Sequence, residues 1–506
     1  MTILTLLGLI PILGGILTLA MPRRVAKVIG MVVAVCTLGL GAAVLLAPTL
    51  NLTDLSVKLP WIKVIGAWYA LDVDGLGAIM IGLTVVLVPV VLLSELFIGD
   101  NDELRETFNW GGRAFFGLVL ILEGLALFCF MATDVLLFYI FFEVTLIPMY
   151  FLIGGWGGGN RAAAALKFLL FNLVGGLIML FGVIGVYGFS KTAGIDSLAL
   201  SDLVGMEISA GWEKILFIAF FVAFAIKAPM FPVHSWLPDV AAQARPGATA
   251  LMVGVLDKLG TFGMIRFCLN LFPNASQWAT PAVMVLAVVS ILYGAFLAIG
   301  SSNLYRLVAF TSVSHFGFIV LGIFAFTTSS LSGSMVYMLA HGFSAAALFL
   351  IVGYLADRGG TAEIPAYGGV RKLAPLLAGF FLIAGLATLA LPGFASFVGE
   401  YLVLAGVWQR SIAFAAVALL GTVLAAVYVL LAYQRVFTGE PTDEVAARVT
   451  HDLDLREKLA AGILLLLLLI FGFVPNIALS QAEPVATSVM KVLGVEDVAP
   501  IVEGGR

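Results

Sequence analysis

Polar residues are sparse along this chain, and between them lie apolar stretches of the length that crosses a bilayer. About 20 helical residues cover roughly 30 Å of hydrocarbon. Such runs fall at about 2–21, 25–47, 73–98, 114–132, 134–154, 162–189, 214–233, 246–272, 280–300, 304–327, 333–356, 374–409, 411–437 and 458–476. The pattern predicts an all-α polytopic membrane protein with about 14 transmembrane helices. Two runs contain a break. Pro229 and Pro232 interrupt the seventh, and the twelfth is too long for one straight span and contains Leu391-Pro392-Gly393. Proline removes a helical N–H and clashes with the preceding turn, so both are expected as broken helices. Broken spans in corresponding positions of two halves point to an inverted repeat with a binding path at the breaks. The first run lacks a basic leader and a small-residue cleavage site before Arg23, so Thr2–Met21 is read as a retained span.

Composition closes off other classes. Of 506 residues, 62% are hydrophobic and 11% charged, which no soluble domain of this length matches. The net charge of −4 and the lack of a basic cluster speak against a nucleic-acid partner. Cys36, Cys129 and Cys268 are far apart and form no CxxC pair, which speaks against a zinc site or iron–sulfur cluster on this chain. With the N-terminus outside, 15 Lys and Arg residues fall on the inner side, Arg105 among them, and 8 on the outer side, Arg506 among them. The bias predicts both termini outside. The longest loops, Pro48–Leu71, Ser190–Glu213 and Gly439–Glu457, are too short for a soluble domain. The glycine-rich Gly154–Asn160 joins two spans without the strand–loop–helix setting of a phosphate loop and reads as a flexible connector.

The remaining 3 cations, Lys167, Lys227 and Lys258, lie inside apolar runs. A charge at the bilayer centre costs roughly 2.5–3.5 kcal/mol on insertion scales, so such residues normally face protein or water and mark an ion path. Glu143 is nine residues past Asp134, about 13.5 Å deep at helical rise and close to the midplane. Lys227 is at similar depth in its own span, so the two are expected at one level, where an ion pair would move a proton whenever the pairing changed. Lys258 is central in the eighth span; Asp257 precedes it but points about 100° away round the helix. Lys167 is only about five residues into its span and reads equally as a path residue or as a lysine that snorkels to the interface. His315 and His341 sit mid-span in consecutive runs beside Ser312, Ser314 and Ser344, a pattern that suits a water-linked relay. His234 and His451 are expected to be solvated. Glu400 follows the second break and is a candidate exit carboxylate; a helix-end residue near headgroups is its plainer reading. Together, Glu143, Lys227, Lys258, His315, His341 and Glu400 trace a proton or cation path. The sequence offers no nucleophile–base set, nucleotide motif or cofactor ligands.

Along these residues the chain resembles the antiporter-like subunits of respiratory complex I. The resemblance runs from about Leu71 to Phe437 and rests on FFEVTLIPMYFLIGGWG, ALKFLLFNL, KAPMFPVHSWLPD, KLGTFGMIRF, YRLVAFTSVSHFGFI, HGFSAAALFL and LPGFASFVGEY. Mrp cation/proton antiporters and membrane-bound hydrogenases share many of these motifs. L-type subunits end in a long lateral helix, and L- and N-type subunits carry lysine where Glu400 stands, so the resemblance favours the M-type subunits of bacterial NADH-quinone oxidoreductase. It implies two inverted five-helix repeats: 1–112 would hold the first three helices, 113–272 the first repeat, 273–437 the second, and 438–506 an inner loop, the last helix and an outer tail. It also implies Glu143 and Lys227 as the first-half pair, Lys258 as central relay, His315 and His341 as connectors, and Glu400 as terminus. Further implications are a bacterial cell membrane, L-type and N-type neighbours, surrounding lipids, and no cofactor on this chain. NAD, FMN, iron–sulfur clusters and quinone would sit in partner subunits. An Mrp-type antiporter subunit and a purely structural membrane subunit are the competing readings. Two positions depart from the family pattern: Gln243, near a usual acid, and Asp257, where an apolar residue is usual.

Overall fold

The computed structural model describes residues 2–47, 55–98 and 111–497; Arg105 and Arg506 lie outside them, as do residues 48–54 of the first long loop. The helices, in order, are α1 (Ile3–Ala20), α2 (Arg23–Leu45), α3 (Gly75–Ser94), α4 (Gly111–Met131), α5 (Val135–Gly155), α6 (Arg161–Thr192), α7 (Ala210–Lys227) and α8 (Trp236–Ala241). They continue as α9 (Pro246–Leu271), α10 (Pro273–Gly300), α11 (Leu304–Phe324), α12 (Thr328–Gly359), α13 (Pro375–Thr388), α14 (Ala395–Arg410), α15 (Ile412–Phe437), α16 (Leu455–Phe473) and α17 (Asn476–Leu493). Among the described residues, 11 helices are long and apolar enough to cross a membrane, or up to 12 if the bent pair α16–α17 is one span. The expected figure of about 14 also counts the broken segments α7–α8 and α13–α14.

The helix ends follow local chemistry. Asp134 caps α5 by accepting from Leu136 N and Leu137 N at 2.9 Å each. Its other oxygen accepts Trp68 N at 2.9 Å from a small antiparallel hairpin, β1 (Val57–Ile62) and β2 (Ala67–Leu71). That hairpin is the one sheet among the described residues, with a few isolated β-bridges beside it. Within α5 the ladder slips at Thr145, three residues ahead of Pro148, whose ring supplies no N–H.

Both expected breaks are present. After α7 the chain leaves the helix at Ala228, and the freed Ile226 carbonyl accepts Trp236 Nε1 at 3.0 Å from α8. Between α13 and α14, Ala390 (φ 60°) and Gly393 (φ 103°) turn the chain through left-handed geometry. The segment after α16, expected as an outer tail, is instead helical through Leu493. It bends 66° from α16 and buries Ala478, Ala482, Ala486, Val489 and Met490 along one face.

The centre of the fold is α9, α11 and α12, buried through their membrane-depth turns. α3 lies antiparallel to α9 and is tied to it at both ends. Arg266 forks onto Asp74 at 2.8 and 2.6 Å, and Arg245 Nε meets Glu95 at 2.9 Å. α6 and α15 present apolar faces outward, with Leu170, Leu177, Phe181 and Leu420, Val423, Leu430 exposed.

Candidate functional site

Two glycine crossings set the geometry of the site. Gly254 of α9 and Gly342 of α12 meet so closely that a Cβ on Gly342 would stand 3.1 Å from Gly254 O. The helices are therefore near enough for Lys258 Nζ to reach His341 Nδ1 at 2.7 Å. Lys258 also donates to Val253 O at 2.7 Å, a carbonyl in the widened turn Met252–Leu256. Its ammonium lies 4.9 Å over the ring of Phe316. Likewise a Cβ on Gly399 of α14 would sit 2.6 Å from Tyr337 Cβ, so α14 rides directly on α12 and Glu400 comes beside Tyr337.

From Lys258 a line of side chains runs to the second break. The rings of His341 and His315 stand 5.3 Å apart, centre to centre. His315 Nδ1 lies 3.2 Å from Tyr337 Oη, which donates to Glu400 Oε2 at 2.9 Å. The single Tyr337 proton is thereby used, so His315 Nδ1–H donates to Tyr337, and His315 Nε2 accepts Tyr428 O–H at 3.1 Å. Glu400 Oε1 accepts the Thr422 hydroxyl. All of these groups but Thr422 are buried. Turning the Tyr337 hydroxyl toward His315 Nδ1 would reverse the donors along the Tyr428–His315–Tyr337–Glu400 segment. His341 Nε2 has no hydrogen-bond partner, so the step from His341 to His315 is the one in this line without a hydrogen bond.

In the first half the expected members lie near one another without bonding. Glu143 packs against Gly176 of α6, and its Oε1 is buried without a hydrogen-bond partner. Lys227 Nζ is equally unpartnered and lies 4.7 Å over the ring of Phe142, next in sequence to Glu143. No hydrogen bond joins Glu143 to Lys227. Lys167 sits in the second turn of α6: its Nζ meets Asp239 Oδ2 at 2.5 Å, and Arg306 meets the other oxygen at 2.7 Å. Burial alone would raise the Asp239 carboxyl; the bonds and charges of Lys167 and Arg306 outweigh it and hold the group below its ordinary range.

Two expectations are corrected. His234 is buried, not solvated, against Phe231 and Tyr293, with its Nδ1 unpartnered. The glycine-rich connector is pinned, not free: Gly158 N donates to Gln243 O at 2.7 Å and Asn160 N to Gln243 Oε1 at 3.1 Å. Gln243, at the departure from the family pattern, thus serves as a strap for this loop.

Sequence reasoning missed Tyr337, Tyr428, Thr422 and Glu123. Tyr337 was findable, because it precedes His341 by four residues and shares its helix face. Glu123 is a carboxylate inside an apolar run, buried in α4 with neither oxygen partnered. Tyr428 and Thr422 carried no signal, being ordinary residues of an apolar span. Among the described residues no cluster of three or more metal-ligating side chains occurs.

Comparison with known proteins finds relatives over nearly the whole chain. The family described as NADH:quinone oxidoreductase/Mrp antiporter, TM, matches residues 132–425. NADH-quinone oxidoreductase subunit M of Mycobacterium tuberculosis is 43% identical over 532 aligned positions, covering 99% of this chain and 96% of that one. A chain of respiratory complex I from Thermus thermophilus with bound NADH superposes with a TM-score of 0.87 at 33% identity, covering 97% of this chain and 100% of its own. A chain of the Mrp complex from Dietzia sp. gives a TM-score of 0.82 at 23% identity over 98% of this chain and 100% of its own, a likeness of fold alone.

Proposed function

The chain belongs to the NADH:quinone oxidoreductase/Mrp antiporter family, among its subunit M members, and from that premise we propose that it moves protons outward across the membrane as an antiporter-like subunit of the oxidoreductase. The observation that carries this reading is the buried line Lys258–His341–His315–Tyr337–Glu400, hydrogen-bonded but for one step between imidazoles. A scaffold could be apolar throughout at lower insertion cost, so a polar line at this depth favours a translocating role.

In this reading the redox chemistry happens elsewhere. NAD, FMN, iron–sulfur clusters and quinone belong to partner subunits, and this chain holds none of them. A signal from those subunits changes the separation of Glu143 and Lys227. When they approach, the carboxylate stabilises the ammonium; when they part, burial favours the neutral amine and the proton leaves. Lys258 takes the proton up, passes it to His341, and the His315–Tyr337–Glu400 segment hands it on toward the second break. Lys167, bound to Asp239 in the second turn of α6, belongs to the entry rather than to the wire.

The proposal extends to the setting: a bacterial cell membrane, both termini outside, and L-type and N-type neighbours against the apolar faces of α6 and α15. It also covers the inverted five-helix repeats at 113–272 and 273–437, flanked by 1–112 and 438–506. The test is NADH-driven proton uptake into inverted membrane vesicles, comparing wild type with Glu143→Gln, with assembly checked on a native gel. Loss of both uptake and quinone reduction in an assembled complex is the expected result. Unchanged uptake and turnover would remove the Glu143–Lys227 pair from the path.

A further inference from the structure

Asp257 is 1% exposed, and neither of its carboxylate oxygens has a hydrogen-bond partner among the described residues. Lys227 Nζ, also buried, is without a hydrogen-bond partner too. A carboxylate left bare at membrane depth is held there against a desolvation penalty, and such residues are functional by default. Its surroundings say which function. Asp257 is the sequence neighbour of Lys258, and Gly260, three residues on, packs against the end of α7 that carries Lys227. Asp257 is therefore a bare carboxylate in the neighbourhood of both lysines.

The backbone explains how one carboxylate serves both. α9 crosses α7 at Gly260, where a Cβ would stand 2.5 Å from Phe224 O and 2.7 Å from Ala228 N. This brings the end of α7, where Lys227 sits, against the turn that carries Asp257 and Lys258. Successive helix residues point about 100° apart, so Lys258 can face His341 while Asp257 faces elsewhere. The widened turn Met252–Leu256 ends immediately before Asp257, and its freed Val253 carbonyl holds Lys258 in place.

We propose that Asp257 is the relay carboxylate that carries a proton from the Lys227 site to Lys258, joining the two halves of the axis; this rests on the proton-translocating reading above. In the first transfer the Lys227 ammonium gives its proton to the Asp257 carboxylate, leaving a neutral amine and a carboxylic acid. In the second the acid gives that proton to the neutral Lys258 amine, restoring the carboxylate and forming the ammonium that faces His341. One N–H bond breaks, one O–H bond forms and breaks, one N–H bond forms, and no electrons change hands.

The test uses the assembled complex in inverted vesicles with NADH as donor. Asp257→Asn keeps the shape and removes the relay. At least a three-fold fall in protons taken up per NADH is expected, with a larger solvent deuterium isotope effect on turnover. Asp257→Glu, which restores the carboxylate, should recover at least half of the lost yield. A purely structural role would leave the isotope effect where it was. An assembled Asp257→Asn complex with the wild-type proton yield overturns the proposal, as does failure of Asp257→Glu to rescue. If Asp257→Asn does not assemble, Asp257→Leu is measured instead, and if neither assembles the position is structural and the relay is rejected. Glu143→Gln is run alongside. A deficit there with none in Asp257→Asn rejects the relay and keeps the axis, and no deficit in either rejects both.

Discussion

Tyr337 shows how much a single side chain decides. Its hydroxyl is the joint between His315 and Glu400, donating to one and accepting from the other. Phenylalanine fits the same space and removes only that oxygen. It leaves His315 Nδ1 and Glu400 Oε2 buried with no common partner, and a hydrogen bond to a charged group is worth roughly 1.5–3 kcal/mol. Tyr337→Phe is expected to slow coupled NADH–quinone turnover by about ten-fold or more, with complex assembly intact on a native gel. Wild-type turnover and proton yield in that variant would show that protons bypass the tyrosine. The charged and imidazole members of the line stood out in the sequence because a charge or imidazole in an apolar run is conspicuous. The tyrosine was passed over, because an aromatic residue in a membrane span reads as packing, although its spacing from His341 marked it.

Among the elements, α3 and α9 show how the depth of the site is set. Two antiparallel helices held at both ends by arginine–carboxylate pairs cannot slide past one another. Lys258, near the middle of α9, is thereby fixed at mid-membrane depth. Burial would raise the Asp74 carboxyl, but the Arg266 charge and hydrogen bonds and the cap on Gly77 N bring it below its ordinary value. A carboxyl whose folded pKa is lowered contributes its full stability above its unfolded value, about 4, and loses it as the pH falls through the lower folded value. Melting temperatures of the solubilised complex should therefore fall more steeply below about pH 4 for wild type than for Asp74→Asn, which has already lost the pair at every pH. Parallel acid profiles would mean that the clamp adds nothing to stability. The two breaks belong to the same scale. The proline-rich Ala228–Pro232 announces the first, whereas the turn geometry at Ala390 and Gly393 gives the second its direction.

At the scale of the whole molecule, the polar line is enclosed by helices whose outer faces are apolar. The exposed stripe on α6 is the plainest case, and Leu177, 56% exposed, lies near its centre. A lysine there faces lipid or a neighbouring subunit at a cost of roughly 2.5–3.5 kcal/mol. Leu177→Lys should lower the amount of assembled complex on a native gel, while Leu177→Ile should leave it unchanged; equal amounts would mean that this face is wet. The sequence by itself determined that the chain is membrane-embedded, about where its spans fall, where two of them break, and that Lys227, Lys258 and Glu400 lie within apolar runs. Span length and the cost of an intramembrane charge are local quantities, readable from one stretch at a time. Only the tertiary structure decided the order of the line and its partners: that Lys258 bonds His341, that Tyr337 joins His315 to Glu400, that Asp257 is buried without a partner, and that Glu143 and Lys227 form no hydrogen bond. Those contacts are made between helices, at crossings set by glycines far apart in the chain, and helical periodicity tells which face a residue occupies without telling what meets it there.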